Sequence, residues 1–482
     1  MRLADLIARA GLPSAGLQDS ANVTGFAIDN RKVAPGTVFG AFQGATVNGE
    51  DFIPAAIAAG AVAVVARPEA RVDGALHIAD ANPRRAFARL AAGFFQPVPA
   101  TVVAVTGTNG KTSTVEMTRQ LWRMAGHSAA SIGTLGVTTG DETVSTGLTT
   151  PDIVTFLANM AGLAREGVTH AAYEASSHGL HQYRSEGLPV TAGAFTNLSR
   201  DHLDYHADMD DYFAAKMRLF DEVVADGGTA VVWTDDAWSP RAAEHARRRL
   251  RLFTVGQAGD DIRLLSRRPG QLGQALEIEH AGVVRNVTLP LIGAYQVANA
   301  LVAAGLVLAT GGEAGATFDA LARLQPVRGR LERAAIARSG APIYVDYAHT
   351  PDALEAAIAA LRPHVAGKLI VVFGAGGDRD QGKRPEMGRV AASQADLAIV
   401  TDDNPRGEDP ATIRAQVLAG GRDLREIGDR RAAIAAAIAE AGKDDIVLVA
   451  GKGHEQGQVV GRGDAQRILP FDDVAVAREC AS

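Results

Sequence analysis

Residues 102–114 read VVAVTGTNGKTST, a β-branched run that feeds a glycine-rich loop and then opens a helical pattern. The order strand, loop, helix predicts an α/β fold: a buried parallel strand reads as a continuous apolar run, and its crossover helix as a 3.6-residue period. Val115, Leu121, Trp122 and Ala125 recur at helical spacing, and Gly126 is the expected stop. The loop itself has the chemistry of a phosphate cradle. Gly107 and Gly110 let backbone N–H groups approach phosphate oxygens, and a helix N-terminus favours negative charge at the same place. Lys111 adds a point charge, and the Thr112 hydroxyl can hold Mg²⁺. Where the common form GxxxxGK[ST] begins with glycine this chain has Val105, so the spacing is shortened to GxxGKT.

Outward from this stretch the alternation of strand and helix continues in both directions. Upstream, TVFGAF, AVAVVA and ALHIA are short strands among Ala-rich helices, ending at the prolines of FFQPVPA. Downstream, HAAYEA, VTAGAFTNL and GGTAVVW continue the parallel pattern as far as LQPVRGRLER. A second nucleotide-fold-like sheet follows in YVDY, LIVVFGAGG, LAIVTDD and DIVLVAGKG. The Ala-rich stretches 353–360 and 432–441 read as helices. Three domains are expected, over residues 1–98, 99–328 and 329–482, all of the α/β class.

The 482 residues carry 48 Lys plus Arg against 55 Asp plus Glu, a net charge of −7. That balance argues against a nucleic-acid partner, and the one basic run, Arg247, Arg248, Arg249 and Arg251, reads as a solvated face. No apolar stretch is long enough to span a bilayer. The start, MRLADLIARAGL, places Asp5 where an export signal would be apolar, and Cys480 is the single cysteine. A cytoplasmic protein without membrane insertion is therefore expected.

Polar, glycine-rich pieces fall just after the apolar strands, where open sheets bind ligands. Glu174 ends HAAYEA, and a carboxylate at a strand end beside a phosphate loop is a natural Mg²⁺ ligand. Lys216 shares a helical face with Tyr212, Phe213, Leu219 and Phe220. Helical spacing alone points to an ammonium that snorkels past this stripe to water; the alternative is a buried neutral amine, which can take up CO₂ as an anionic carbamate. The last third supplies VDYAHTPDAL, GAGGDRDQGKRPEMG, DDNPRGED and GKGHEQ, placing Asp346, Arg379, Lys383, Arg384, Arg406 and Glu455 on loops of one sheet.

The set GTNGKT, TTP (149–151), EASSHGL, NLSRDHLDYH, Lys216, DYAHTPDAL, GGDRDQGKRPEMG, DNPR and GKGHE resembles the Mur ligase family of peptidoglycan synthesis over essentially the full length. GTNGKT alone also fits folylpolyglutamate synthetase; the other motifs are narrower. The resemblance implies a small N-terminal α/β UDP-binding domain, a central P-loop ATPase-like parallel-sheet domain and a C-terminal Rossmann-like domain, acting as a monomer. It implies an ATP-dependent ligase that activates the terminal carboxylate of a UDP-N-acetylmuramoyl peptide as an acyl phosphate for attack by an amine. Lys111, Glu174, His202 and Lys216 would be catalytic. Thr112 and Glu174 would hold one Mg²⁺, and His202 with Lys216, as N6-carboxylysine, the other. ATP would meet Gly107, Thr108, Asn109, Gly110, Lys111, Thr112, Ser113, Asn299 at adenine, Arg330 at the phosphates and Asp346 at the ribose. The UDP-N-acetylmuramoyl-L-alanyl-D-glutamate partner would meet Ile28, Asn30, Thr149, Thr150, Ser176, Gln182 and Arg184. Asn30 stands where the family's D-S-R has serine, and keeps a hydrogen-bonding side chain. The amine, meso-2,6-diaminopimelate, would meet Arg379, Asp403, Asn404, Pro405, Arg406, Gly451 and Glu455. It differs from L-lysine by one carboxylate, and Arg406 can grip that group bidentately.

Overall fold

The computed structural model describes residues 1–13, 21–44, 47–140, 142–144, 149–203, 205–270 and 273–482. They form two compact units, Met1–Asp261 with Val302–Thr317, and Ile262–Leu301 with Phe318–Ser482.

The first unit holds two sheets. Strands Gly25–Ala27, Thr37–Gly40, Ala61–Ala66 and Leu76–Ala79 run parallel in that order. Helix Pro83–Phe94 covers them, started by Pro83 and by the Asn82 side chain, which accepts from Arg85 N–H. Its Phe87 ring meets Phe26 and Phe42 edge-on at 5.4 Å. The larger sheet runs Arg251–Gly256, Val224–Trp233, Val190–Phe195, Thr101–Thr106, His170–Glu174, Ala129–Gly133, all parallel, with Gly136–Thr139 and Glu142–Val144 antiparallel at its edge. Thr101–Thr106 lies inside this sheet and is buried beyond its first residue, as its unbroken apolar sequence requires.

In the second unit a six-stranded sheet runs Glu332–Ile336, Pro342–Asp346, Ile446–Ala450, Leu369–Phe373, Leu397–Val400, Leu424–Glu426, parallel except for the first. The strand period of two sorts its side chains between two cores. Leu369, Val371, Phe373, Ile446 and Leu448 pack with Leu354, Ile358, Met387 and Val390 on one face. Ile370, Val372, Val447 and Val449 pack with Ile434, Ile438, Val474 and Ala477 on the other. Each such side chain contributes about 1.5–3 kcal/mol when fully buried. Helices Pro351–Leu361 and Arg430–Glu440 occupy the Ala-rich stretches read as helical.

The three sheet systems follow the order expected from the sequence. Two features do not announce themselves there. Strands Ile262–Gly270, Gly273–His280 and Val283–Leu289 form an antiparallel meander, whose exposed positions hold charged residues that dilute its apolar period. Gly457–Val460 pairs with Arg467–Pro470 as a hairpin. Among the described residues no helix is long and apolar enough to cross a membrane.

Candidate active site

The phosphate loop is shaped from outside as much as by its own glycines. Gly107 has φ +146°, and a Cβ there would stand 2.0 Å from Thr196 Oγ1, so both conformation and space demand glycine. The strand partners Phe195↔Thr106 and Val105↔Glu174 bring three strand ends to one edge. Just beyond them Asn197 grips the loop. Thr108 N–H donates to Asn197 C=O at 2.9 Å and Asn109 N–H to Asn197 Oδ1 at 2.9 Å, while Thr196 Oγ1 donates to Asn109 C=O at 2.6 Å. Gly110, at φ +85°, caps helix Lys111–Met124. Its first turn buries Thr112 and Ser113. Lys111 Nζ donates to the carbonyls of Gly107 and Thr108 at 2.9 and 2.8 Å.

Lys216 does not snorkel. It is 1% exposed, and its Nζ donates to Gly107 C=O at 2.8 Å while lying 4.3 Å over the Tyr212 ring. Burial, with the neighbouring Lys111 cation and against Asp201, holds its amine well below the ordinary lysine value. The stripe it shares with Tyr212 and Phe213 turns inward beneath the phosphate loop, so water is not within reach. His202, at φ +55°, packs its ring 5.9 Å from Tyr212 and 4.9 Å from His178. Tyr212 OH in turn shares a hydrogen bond with Thr108 Oγ1 at 3.2 Å. His202, Tyr212, Lys216 and the loop are therefore one contiguous assembly.

Glu174 is 2% exposed and takes Thr134 N–H on Oε1 at 2.7 Å and Thr134 Oγ1 on Oε2 at 3.2 Å. Each oxygen keeps a second lone pair. No group of three or more His, Cys, Asp or Glu among the described residues is arranged to hold a metal ion. Mg²⁺ does not need one: it takes one or two carboxylates and fills its octahedron with water and phosphate oxygens. The Thr112 hydroxyl and Glu174 carboxylate are donors of that kind, and a carbamate on the buried Lys216 amine would be another.

A second network surrounds Glu174. Thr150 Oγ1 donates to Glu174 C=O at 2.8 Å and shares a bond with Ser176 Oγ at 3.0 Å. Thr149 reaches Thr134 Oγ1 at 3.1 Å. Arg184 donates to Thr150 C=O at 2.8 Å and to Gln182 Oε1 at 2.8 Å. Thr149, Thr150, Ser176, Gln182 and Arg184 are thus joined through Thr134 and Glu174 into one network. Ile28 and Asn30 follow the strand Gly25–Ala27, where Asp29 caps the short helix Asn30–Lys32. Hydrogen bonds from Arg31 hold the Asp29 carboxyl down at about 2, so this loop is braced at its first residue.

The second unit assembles the other residues. Asn299 Nδ2 donates to Gln296 Oε1 at 3.3 Å, and Gln296 Nε2 to Arg330 C=O at 3.1 Å. The Arg330 guanidinium lies 4.7 Å over the Tyr347 ring. Asp346 Oδ2 accepts Leu331 N–H at 2.7 Å, and its C=O accepts Gly451 N–H at 3.0 Å. Burial raises the Asp346 carboxyl from 3.8 to about 6, opposed by Arg330 and by the backbone donors of Leu331 and Ala348. A raised folded value favours the protonated form, so its stabilisation is complete below about pH 4 and is lost as pH rises through 6. Asp346→Asn should therefore gain stability relative to the natural chain between pH 4.5 and 7, by about 2 kcal/mol. Urea unfolding at the two pH values measures this, and an equal difference at both would refute it.

The DNPR loop is clamped between GAGG and the hairpin. Gly377 N–H donates to Asn404 C=O at 2.9 Å, and a Cβ on Gly377 would meet Pro405 C=O at 1.9 Å. Arg406, at φ +50°, receives backbone bonds on both sides: its N–H donates to Val459 C=O at 3.0 Å and its C=O accepts Gly461 N–H at 2.7 Å. Its Nη1 donates to Gly377 C=O at 3.0 Å. Asn404 Nδ2 donates to Glu455 Oε2 at 2.8 Å. Arg379 departs from the expected cluster: it is exposed, and its Nη1 donates to its neighbour's carbonyl, Asp378 C=O, at 3.4 Å.

Residues given no role in the pocket shape this loop, and Lys383 and Arg384, expected on a loop, open the helix Lys383–Gln394. Arg384, 0% exposed, forks onto Glu408 at 2.8 and 2.9 Å and onto Gly376 C=O at 3.1 Å. Arg430 and Asp473 form a buried fork at 2.7 and 2.8 Å, and Arg430 also donates to Ala450 and Asp402 carbonyls. Lys452 is fully buried. The charges are visible in sequence, but most of their partners lie 20 to 49 residues away.

Family models match the chain in three places: the Mur ligase family catalytic domain over residues 22–95, the Mur ligase middle domain over 105–307, and the Mur ligase glutamate ligase domain over 329–453. A Zymomonas mobilis protein named UDP-N-acetylmuramoyl-L-alanyl-D-glutamate--2,6-diaminopimelate ligase is 61% identical over 458 residues, covering 95% of this chain and 94% of its own. One of the same name from Bradyrhizobium diazoefficiens is 52% identical, covering 100% and 99%. A solved structure of that name superposes with a TM-score of 0.73 at 32% identity, covering 98% and 97%. With the loop, the buried lysine and the DNPR clamp in place, these likenesses establish that the chain belongs to the Mur ligase family.

Proposed function

We propose that the protein is an ATP-dependent ligase that joins meso-2,6-diaminopimelate to the D-glutamate of UDP-N-acetylmuramoyl-L-alanyl-D-glutamate, a step in peptidoglycan precursor synthesis. The observation that supports it most is the combination of a phosphate loop underlain by a buried lysine with near full-length likeness to relatives of that name. ATP transfers its γ-phosphoryl group to the glutamate carboxylate, giving an acyl phosphate and ADP. The amine of diaminopimelate attacks the acyl carbon, and the tetrahedral adduct collapses to amide and phosphate.

The chain's part is positioning and charge. Backbone donors of Gly107 to Ser113 cradle the phosphates, and Lys111 exchanges its loop carbonyls for phosphate oxygens. Thr112 and Glu174, and His202 with a carbamylated Lys216, would hold Mg²⁺, which would supply positive charge against the transferring group. Thr149, Thr150, Ser176, Gln182 and Arg184 orient the UDP-linked peptide, with Ile28 and Asn30 on its uridine. Asn299, Arg330 and Asp346 serve ATP, and Asp403, Asn404, Pro405, Arg406, Gly451 and Glu455 the distal amino-acid group of diaminopimelate. Arg379, exposed beside them, joins only when substrate draws it in. ATP and UDP-linked precursors place the reaction in the cytoplasm.

Phosphate release measured with the UDP-dipeptide and either amine tests the reading. Turnover should require both acceptor and amine, and meso-diaminopimelate should exceed L-lysine by roughly 10⁴-fold in kcat/KM, since lysine leaves the Arg406 fork unpaired. Faster turnover with L-lysine, or ATP consumption independent of acceptor and amine, overturns it.

A further inference from the structure

Lys452 sits in the turn after strand Ile446–Ala450 with its side chain 0% exposed. It touches no solvent, yet its Nζ faces the polar side chains of the DNPR pocket: Asn404 Oδ1 at 2.8 Å, Glu455 Oε2 at 3.3 Å and Asp403 Oδ1 at 3.5 Å. Asn404 Oδ1 also accepts Val459 N–H at 2.9 Å, so with both acceptor positions taken the amide can turn only its nitrogen toward Glu455. Asp403 and Glu455 converge on Lys452, which offsets their repulsion. The other buried cation nearby, Arg430, is matched by its own fork to Asp473. What remains is two carboxylates against Lys452 and Arg406, a formally neutral set.

We infer that Lys452 is a positioning residue that sets amine specificity: by balancing Asp403 and Glu455 it keeps the pocket neutral and so fitted to a zwitterionic amino-acid group rather than to a lone ammonium. The inference rests on the proposed diaminopimelate reading. Without the Lys452 charge the set carries one excess negative charge, which attracts a cation such as the lysine side chain and repels a carboxylate. Asn404 also becomes free to turn, and Glu455 loses two of its restraints.

The test compares Lys452→Met and Lys452→Gln with the natural enzyme in the complete assay, using meso-diaminopimelate and L-lysine. Both variants remove the charge, and the glutamine keeps a donor toward Asn404, so a folding failure of the first leaves the second to decide. KM for meso-diaminopimelate should rise by at least about thirtyfold, with KM for ATP within about twofold and the preference for diaminopimelate over lysine reduced by about tenfold or more. Lys452→Arg, which retains the charge, should keep most of the preference. An unchanged preference in the charge-removing variants, or a parallel rise in KM for every substrate together with a lowered Tm, overturns the inference and leaves a structural lysine. A natural enzyme that prefers diaminopimelate beside variants that prefer it equally overturns this inference alone. A natural enzyme that uses neither amine overturns the proposed function and this inference with it.

Discussion

Lys216→Ala should lower kcat by about a thousandfold or more, with partial recovery on adding a small carboxylate such as formate. The reason begins with burial. A lysine held at 1% exposure with its amine well below the ordinary value is expensive to keep as a cation and does little as a neutral donor. Its Nζ donates to Gly107 C=O, which Lys111 also serves. On the proposed reading, addition of CO₂ to the neutral amine, with loss of a proton, would make an anion on the stripe side of the phosphate loop, able to hold a divalent cation. Alanine would delete that anion and open room for an added carboxylate. Single-turnover phosphate release with and without formate, with Tm measured alongside, reads the outcome; full activity without any additive would return Lys216 to a packing role.

The second large effect is expected at Arg406. Arg406→Lys should reduce kcat/KM for meso-diaminopimelate by about three orders of magnitude while KM for ATP changes less than about twofold. The guanidinium is pre-aimed: its backbone is pinned in the left-handed region by Val459 and Gly461, and one nitrogen is spent on Gly377 C=O. The remaining N–H groups form a planar fork for a carboxylate. An ammonium at the same place has neither the reach nor the plane. Equal kinetics for the two proteins would remove Arg406 from the pocket.

How much of this was legible follows from how local each cause is. The order strand, loop, helix around Gly107 is written within thirteen residues and is legible there, whereas the grip of Thr196 and Asn197 on the loop is not. Helical spacing puts Lys216 on the right face but cannot decide between snorkelling and burial: what buries it is a loop 109 residues away. The two faces of the six-stranded sheet were readable as apolar runs, whereas the hairpin Gly457–Val460 is too short and too polar at its ends to stand out, and its purpose appears only against Arg406. Arg379 is the reverse case. Its motif placed it in the pocket, but nothing local pins it, and its described contact is with its own neighbour. Lys452, Arg430 and Arg384 are charges whose meaning lies mainly in distant partners.

The clamp on Arg406 also bears on how the pocket could escape an inhibitor. Val459 and Gly461 hold the arginine through a C=O and an N–H, groups that almost every amino acid supplies. A compound that competed for those main-chain groups would meet a target whose recognition surface is not encoded in any side chain. Resistance by substitution at Val459 would then be closed to nearly all replacements, since the changed residue would still offer the same carbonyl to the same ligand.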